Sequence, residues 1–511
     1  MSHHQTLEEI QDFKGKYPRQ IWYLFFSEMW ERFSFYGMRG MLTYFMINQL
    51  LMEDKTANLQ YGATQAFVYA FTFIGGLFAD KILGFRKSLF WGGLLMITGS
   101  IILAVDPHQF FFLGISFNII GTGFFKPNIS TMVGALYKDG DARRDAGFSL
   151  FYSGINIGAL LGGYFCISIG KGTMLTSMVP EGATWNVAFG LVAVVMTISL
   201  LTFVYTRNTM ATIGLSPLRD ASKPGNSIQA SKRWYEYAVY AGGLISIPII
   251  MKMVANPVYV DWFMYIVGPA ALLWLFYEMT KHSGAEVRRL FAALLFIVFS
   301  VIFWAIFEQA GGSLTIFAAN NLDNELLGFI KLDPNGVNNA ANSLFVIFFA
   351  PVIGLIWIAL AKKKKEPNTI VKFGLGFLFL GLAFYIFFGT RFFATMEGIA
   401  SLDVFTLAYF VVTLGELCLS PIGLSAMTKL SPARLQGLMM GMWFLASAYG
   451  QYVAGLFGAS IAGDVTTASN YDKLMIYTQG YKDMAIYAVI AGVILIIVAP
   501  FVRKRLMGHV H

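Results

Sequence analysis

The chain has 511 residues, of which 56% are hydrophobic and 13% charged. A soluble domain carries about a quarter charged residues, so this composition excludes a soluble globular protein and requires a polytopic membrane protein. The formal net charge of +8 resides in the loops and implies no nucleic-acid partner, and the two cysteines, Cys166 and Cys418, fall inside apolar stretches and predict no structural disulfide.

Windows of about 20 mostly apolar residues mark spanning helices. They occur near 21–50, 62–80, 88–105, 109–137, 146–170, 185–206, 235–254, 259–280, 289–319, 340–361, 372–392, 402–429, 434–462 and 483–502. The expectation is an all-α membrane protein with about fourteen transmembrane helices. The polar stretch Met1 to Gln20 leads into the first span without the pattern of a cleavable signal peptide.

The first span carries Glu28, Glu31, Arg32 and Arg39. A charge at the centre of a spanning helix costs about 2.5–3.5 kcal/mol to insert, so such charges mark a use. At helical spacing Glu28, Arg32, Phe35, Tyr36 and Arg39 share one face. That face must line protein or water rather than lipid. A buried ion-pair lattice that only fixes helix packing is the competing reading. The second span holds Tyr69 and ends in Gly75-Gly76-Leu-Phe-Ala-Asp80-Lys-Ile-Leu-Gly84-Phe-Arg86-Lys87, where glycines permit close helix approach. The fourth span places Lys126 directly before Pro127, whose missing N–H frees a carbonyl and bends a helix. In the fifth, Tyr152 and Asn156 lie one turn apart, and Asn156 offers a donor and an acceptor to a zwitterion or to a neighbouring helix.

A polar linker containing Pro217, Pro224 and Gly225 follows from Arg207 to Trp234. Six spans precede it and eight follow. With the pair 235–254 and 259–280 as an insertion, the remainder is six plus six, which suits two similar bundles around a central cavity. The expected domains are therefore 1–207, 208–282 and 283–511. In the second bundle, Trp304 and Glu308 are one turn apart in the long stretch 289–319, where tilt or bending is expected. Asn342 precedes Pro351 in the next span, Glu416 and Ser420 are followed by Pro421 in another, and Trp443 adds an aromatic wall.

Lysine and arginine gather in alternate loops, from Lys14, Lys16 and Arg19 through Arg86 and Lys87 to Arg503, Lys504 and Arg505. Both termini are therefore expected to be cytoplasmic. The run Lys362 to Lys365 reads as an anchor of an inside loop. Span direction sets depth. Arg39 and Glu308 fall in outer halves, Lys126 in an inner half and Glu416 near the middle. Two opposite-sign pairings follow, Arg39 with Glu308 and Lys126 with Glu416, each joining one bundle to the other. A carboxylate that loses its cation binds a proton more readily, so opening such a gate is a route to proton-coupled movement. Static pairs gluing the bundles are the alternative. The histidines, at positions 3, 4, 108, 282, 509 and 511, all lie in loops or tails.

These motifs together resemble the proton-dependent oligopeptide transporter (POT) family of the major facilitator superfamily, in its bacterial type. The resemblance rests on Glu28-x-x-Glu31-Arg32-Phe33 with Tyr36-Gly37, the glycine/aspartate loop at 75–87, Gly123-x-x-Lys126-Pro127-Asn128 and Phe151-Tyr152-x-x-Ile-Asn156-x-Gly158. It continues in Phe303-Trp304-x-x-Phe307-Glu308-Gln309 and Gly415-Glu416-x-x-x-Ser420-Pro421-x-Gly423-Leu424. It implies the major facilitator fold, with two six-helix bundles plus two extra helices. It further implies symport of di- and tripeptides with protons by alternating access, in the cell inner membrane, by a monomer that needs lipid and the proton gradient but no cofactor.

By the same matching, Glu28, Glu31, Arg32 and Glu308 would couple protons. Arg32, Arg39 and Lys126 would face the peptide carboxylate, and Glu416, Asn156 and Asn342 its amino end. Tyr36, Tyr69, Tyr152, Trp304, Ser420 and Trp443 would shape side-chain pockets. Phe35 stands where many members have a tyrosine, and the second span lacks a histidine that some carry. A related proton-coupled carrier of nitrate or a drug-like zwitterion is the second reading. A membrane-embedded enzyme is not expected, since no His/Cys ligand cluster or Ser/His/Asp set occurs in the spans.

Overall fold

A computed structural model describes residues 6–138, 140–141, 143–220, 227–419, 427, 429–432, 435–463 and 468–507. Among the described residues the chain is built from helices, with one two-residue hairpin pairing Glu325–Leu326 with Ile330–Lys331. A short α1 (Leu7–Gln11) precedes α2 (Arg19–Asn48), α3 (Asp54–Phe78), α4 (Phe85–Val105), α5 (Phe111–Ala135), α6 (Arg143–Gly170), α7 (Thr184–Thr206) and α8 (Arg233–Ala255). Then come α9 (Pro257–Met279), α10 (Gly284–Phe307), α11 (Ser313–Asn321), α12 (Pro334–Lys362), α13 (Thr369–Gly389), α14 (Leu402–Leu419), α15 (Gln436–Ala462) and α16 (Asn470–Phe501).

Each expected span falls on one of these helices, except that 289–319 falls on two, α10 and α11, and that the expected span 402–429 continues past α14 into residues that lie partly outside the described ones. Among the described residues, eleven helical stretches are by length and composition apolar enough to cross a membrane. The other long helices are α2, α5 and α15. α2 carries the buried Glu28, Glu31 and Arg32, α5 carries the half-buried Lys126, and α15 is rich in glycine, alanine and serine. The chain is a multi-pass helical membrane protein.

Helix ends follow local chemistry. Ser283 and Glu286 form a reciprocal capping box at α10, and Asp333 caps α12 with Pro334 at its first position. Asn368 and Ser469 cap α13 and α16. α5 continues through Pro127, and α12 through Pro351.

The stretch expected at 289–319 is broken rather than merely tilted. α10 ends at Phe307, a tight turn covers Glu308–Gly311, and α11 starts at Ser313. Gly311 allows the break, because a Cβ there would run into the Tyr61 ring. Carbonyls freed by a break at membrane depth need donors from elsewhere. The Ala310 carbonyl accepts from Asn338 Nδ2 (2.7 Å) and Thr315 Oγ1 (2.9 Å), and the Gly311 carbonyl from Thr43. Tyr409 in turn fixes Asn338, donating to its Oδ1 at 2.6 Å.

The chain divides into two compact units, Met1–Met41 with Phe67–Asn256, and Leu42–Ala66 with Pro257–His511. α8 belongs to the first unit and α9 to the second. In the first, Lys87 on α4 pairs with Glu236 on α8 at 2.8 Å, and Trp91 packs on Tyr240. In the second, Tyr452 on α15 donates to Asp261 on α9 at 2.5 Å. The core of the second unit is aromatic, with Phe317, Phe387, Phe405, Tyr409 and Tyr481 in edge and stacked contacts.

Candidate functional site

The first unit fixes α2 by its two apolar faces. On one side Phe25, Met29, Phe33 and Gly37 meet Gly154, Gly158, Gly162 and Cys166 of α6, both series advancing by four residues. A Cβ at Gly158 would collide with the Met29 carbonyl, and one at Gly162 with the Phe33 carbonyl. This is the close approach that small residues at four-residue spacing allow in lipid. On another side Ser27 and Ser199 of α7 exchange hydroxyl-to-carbonyl hydrogen bonds (3.1 and 2.6 Å), and Ser34 donates to the Val192 carbonyl at 3.2 Å.

That anchoring holds the charged residues in one place. Arg32 Nε lies 2.9 Å from Glu28 Oε1 and 2.7 Å from Glu31 Oε2. All three are buried, at 2%, 2% and 0% exposure for Glu28, Arg32 and Glu31. Glu31, left off the shared face by helical spacing, is brought in because the long arginine side chain bends across its neighbour. Glu28 Oε2, both Glu31 oxygens and Arg32 Nη2 receive or give no aligned hydrogen bond among the described residues. Two acids and one base in a site without such partners leave a surplus carboxylate, which needs a proton or a further cation.

Lys126 supplies a cation nearby. Its ammonium stands 4.3 Å from the Tyr69 ring centroid and 5.4 Å from that of Phe35, and Arg32 lies 5.5 Å from the same Phe35 ring. Phe35 is thus a shared π face between two cations. This role was hidden in the sequence, where only the loss of a hydroxyl could be read. Arg39 stacks over Tyr36 at 5.7 Å. Asn156 is 93% buried and donates to the Tyr152 carbonyl of its own helix at 3.0 Å, so its side-chain oxygen is the group best placed for an outside partner. Tyr152 is exposed.

The second unit holds the other acids. Asn342 on α12 donates to Glu416 Oε2 on α14 at 2.9 Å, and to Thr413 Oγ1 at 3.1 Å. Thr413 was not singled out in the sequence, although it lies three residues before Glu416 and hence on its face. Glu308, 3% exposed, sits at the break after α10, and its backbone N–H donates to the Trp304 carbonyl. Trp304 meets Phe303 and Phe307 edge-on and packs against Gly450 of α15; Trp443 is buried. Ser420 and Pro421 lie outside the described residues.

Within each unit, then, the structure gathers Glu28, Glu31, Arg32, Lys126 and Tyr69, and separately Asn342 with Glu416. Spanning helices that bury acids and bases of this kind define a membrane carrier rather than an anchor. The POT family pattern matches residues 86–472. The chain is 34% identical over 513 residues to the peptide transporter YePEPT of Yersinia enterocolitica, covering 96% of each. It is 32% identical to the di-/tripeptide transporter of Lactococcus lactis subsp. cremoris, over 96% of this chain and 97% of that one. A solved POT family transporter in complex with 5-aminolevulinic acid superposes with a TM-score of 0.80 at 28% identity, over 98% of this chain and all of the other. The chain belongs to the POT family and has its major facilitator fold.

Proposed function

We propose that the chain imports di- and tripeptides together with protons by alternating access across the cell inner membrane. The observation that carries this reading is the buried Glu28–Arg32–Glu31 cluster beside Lys126, inside helices of a peptide-transporter family. A short peptide is a zwitterion. Lys126, Arg32 and Arg39 suit its carboxylate, while Glu416, steadied by Asn342, suits its amine. Tyr36, Tyr69, Tyr152, Trp304 and Trp443 would wall the side-chain pockets. The surplus carboxylate of the Glu28/Glu31 pair is the proton carrier, and Glu308 joins it in coupling.

In this reading the chain works as a monomer, divided as 1–207, 208–282 and 283–511, with both termini cytoplasmic. The proton gradient drives it without a cofactor. Arg39 with Glu308, and Lys126 with Glu416, serve as gating pairs whose exchange of partners moves the proton.

Uptake of a labelled dipeptide into proteoliposomes tests the proposal. An inward proton gradient is expected to drive it, and unlabelled di- and tripeptides are expected to compete where free amino acids and tetrapeptides do not. Glu31→Gln and Lys126→Ala variants are each expected to insert normally and to lose gradient-driven uptake by about tenfold or more, the loss of one charged contact. Full uptake by both would remove the assigned roles. A relative bound to 5-aminolevulinic acid favours a second reading, a carrier for small zwitterions without a peptide bond; competition by such compounds in place of peptides would select it.

A further inference from the structure

The second unit has a cavity that the transport reading leaves unused. It measures about 460 Å³ and lies between the N-terminus of α13 and the C-terminal turn Val502–Met507 that follows α16. Its wall includes Lys372, Lys429 and Arg503, against a single acid, Glu366. Glu366 is spent on Lys372, whose ammonium it meets at 2.5 Å. The lining thus counts three bases against that one acid. Thr369 and Ile370 also line it. They are the first residues of α13, whose opening N–H groups have no carbonyl four residues back within the helix, and Asn368 caps only the Val371 N–H. A helix N-terminus adds positive potential to that of the side chains.

The surroundings are those of a membrane interface. The Lys372 ammonium stands 4.7 Å over the ring of Trp357, the residue type that collects at headgroup level. The run Lys362 to Lys365 ends immediately before Glu366. Basic pockets between spanning helices at such a level hold acidic headgroups.

We infer that this cavity binds a phosphate group, carried by an anionic phospholipid or free in solution, through Lys429, Arg503 and the first turn of α13. The Glu366–Lys372 pair forms one edge of the pocket. The site is independent of the transport cluster and does not rest on the substrate assigned to it.

Native mass spectrometry of the purified full-length protein tests the inference, with added phosphatidylglycerol or phosphatidylcholine. Retained phosphatidylglycerol is expected to exceed phosphatidylcholine. Lys429→Ala and Arg503→Ala are each expected to lower that retention by about fivefold, the effect of one basic residue at an anionic surface. Lys482→Ala, away from the cavity, is expected to leave it unchanged. Monodisperse elution and an unchanged melting temperature without lipid show that each variant is folded. Excess inorganic phosphate separates the sources. If it displaces the lipid and alone raises the melting temperature of the parent protein but not of the variants, the occupant is free phosphate; if it does neither, the occupant is the lipid headgroup. Equal retention of the two lipids with no phosphate effect, or retention by both variants at the parent level, overturns the site.

Discussion

Glu416 is the residue whose neighbours say most about its task. Its carboxylate is held by one neutral donor, Asn342, at 2.9 Å, and by no base within its own unit among the described residues. In the proposed reading, a carboxyl group held only by an amide is left to meet a cation that arrives with the substrate. Glu416→Gln keeps the shape and removes the charge. For peptides with a free amino terminus, half-saturating concentrations are expected to rise roughly ten- to hundredfold, the worth of a charged hydrogen bond. N-acetylated peptides are expected to lose much less, and concentration-dependent uptake of the two peptide types checks this. Equal losses would take Glu416 out of amine recognition. The acids and bases were legible in the sequence because charge inside an apolar window is conspicuous. Their companions were less so. Phe35 acquires meaning only when Lys126 arrives from another helix, and Glu31 reaches Arg32 through side-chain length that a helical wheel ignores. Asn156 shows the converse, a side chain that spends a donor on its own backbone instead of reaching outward.

At the scale of elements, α2 and α6 form a close pair beside the charge cluster. Gly158→Ala is expected to drive a methyl group into the Met29 carbonyl and cost about 1–3 kcal/mol, the usual price of overpacking. Thermal unfolding in detergent checks it, with Gly190→Ala as the comparison. There the nearest atom to an added Cβ is 3.7 Å away, so that variant is expected to hold or raise the melting temperature by stiffening the unfolded chain. The helices themselves were predictable, since length of apolar run decides whether a segment spans. The break between α10 and α11 was not. Gly311 and Gly312 lie in a window whose mean hydropathy stays high, and the donors that repair the freed carbonyls, Asn338, Thr315 and Thr43, are scattered in sequence.

At the scale of the molecule, the alternation of basic loops gives an orientation that can be read chemically. Cys166 and Cys418 are both buried, so the parent chain should react little with a membrane-impermeant maleimide. Lys14→Cys and Met178→Cys place thiols at exposed positions on loops of opposite parity. In right-side-out vesicles Met178→Cys is expected to label and Lys14→Cys only after the membrane is opened; the reverse pattern would invert the topology. The major facilitator fold came from the family resemblance, and the count of apolar spans gave an all-α membrane protein because that count is a whole-chain property. Which stretches pack together is not, and α2 and α3, each divided between the two compact units, could not have been apportioned from hydropathy. The glycine-lined joint at Gly158 and Gly162 also constrains how such a protein can work. Where main chain rests on main chain, rotamer changes have nothing to absorb, so the joint can neither slide nor yield by degrees. The acids of α2 and the Tyr152–Asn156 wall of α6 must travel as a single block, and the flexing that transport demands is left to seams padded with larger side chains.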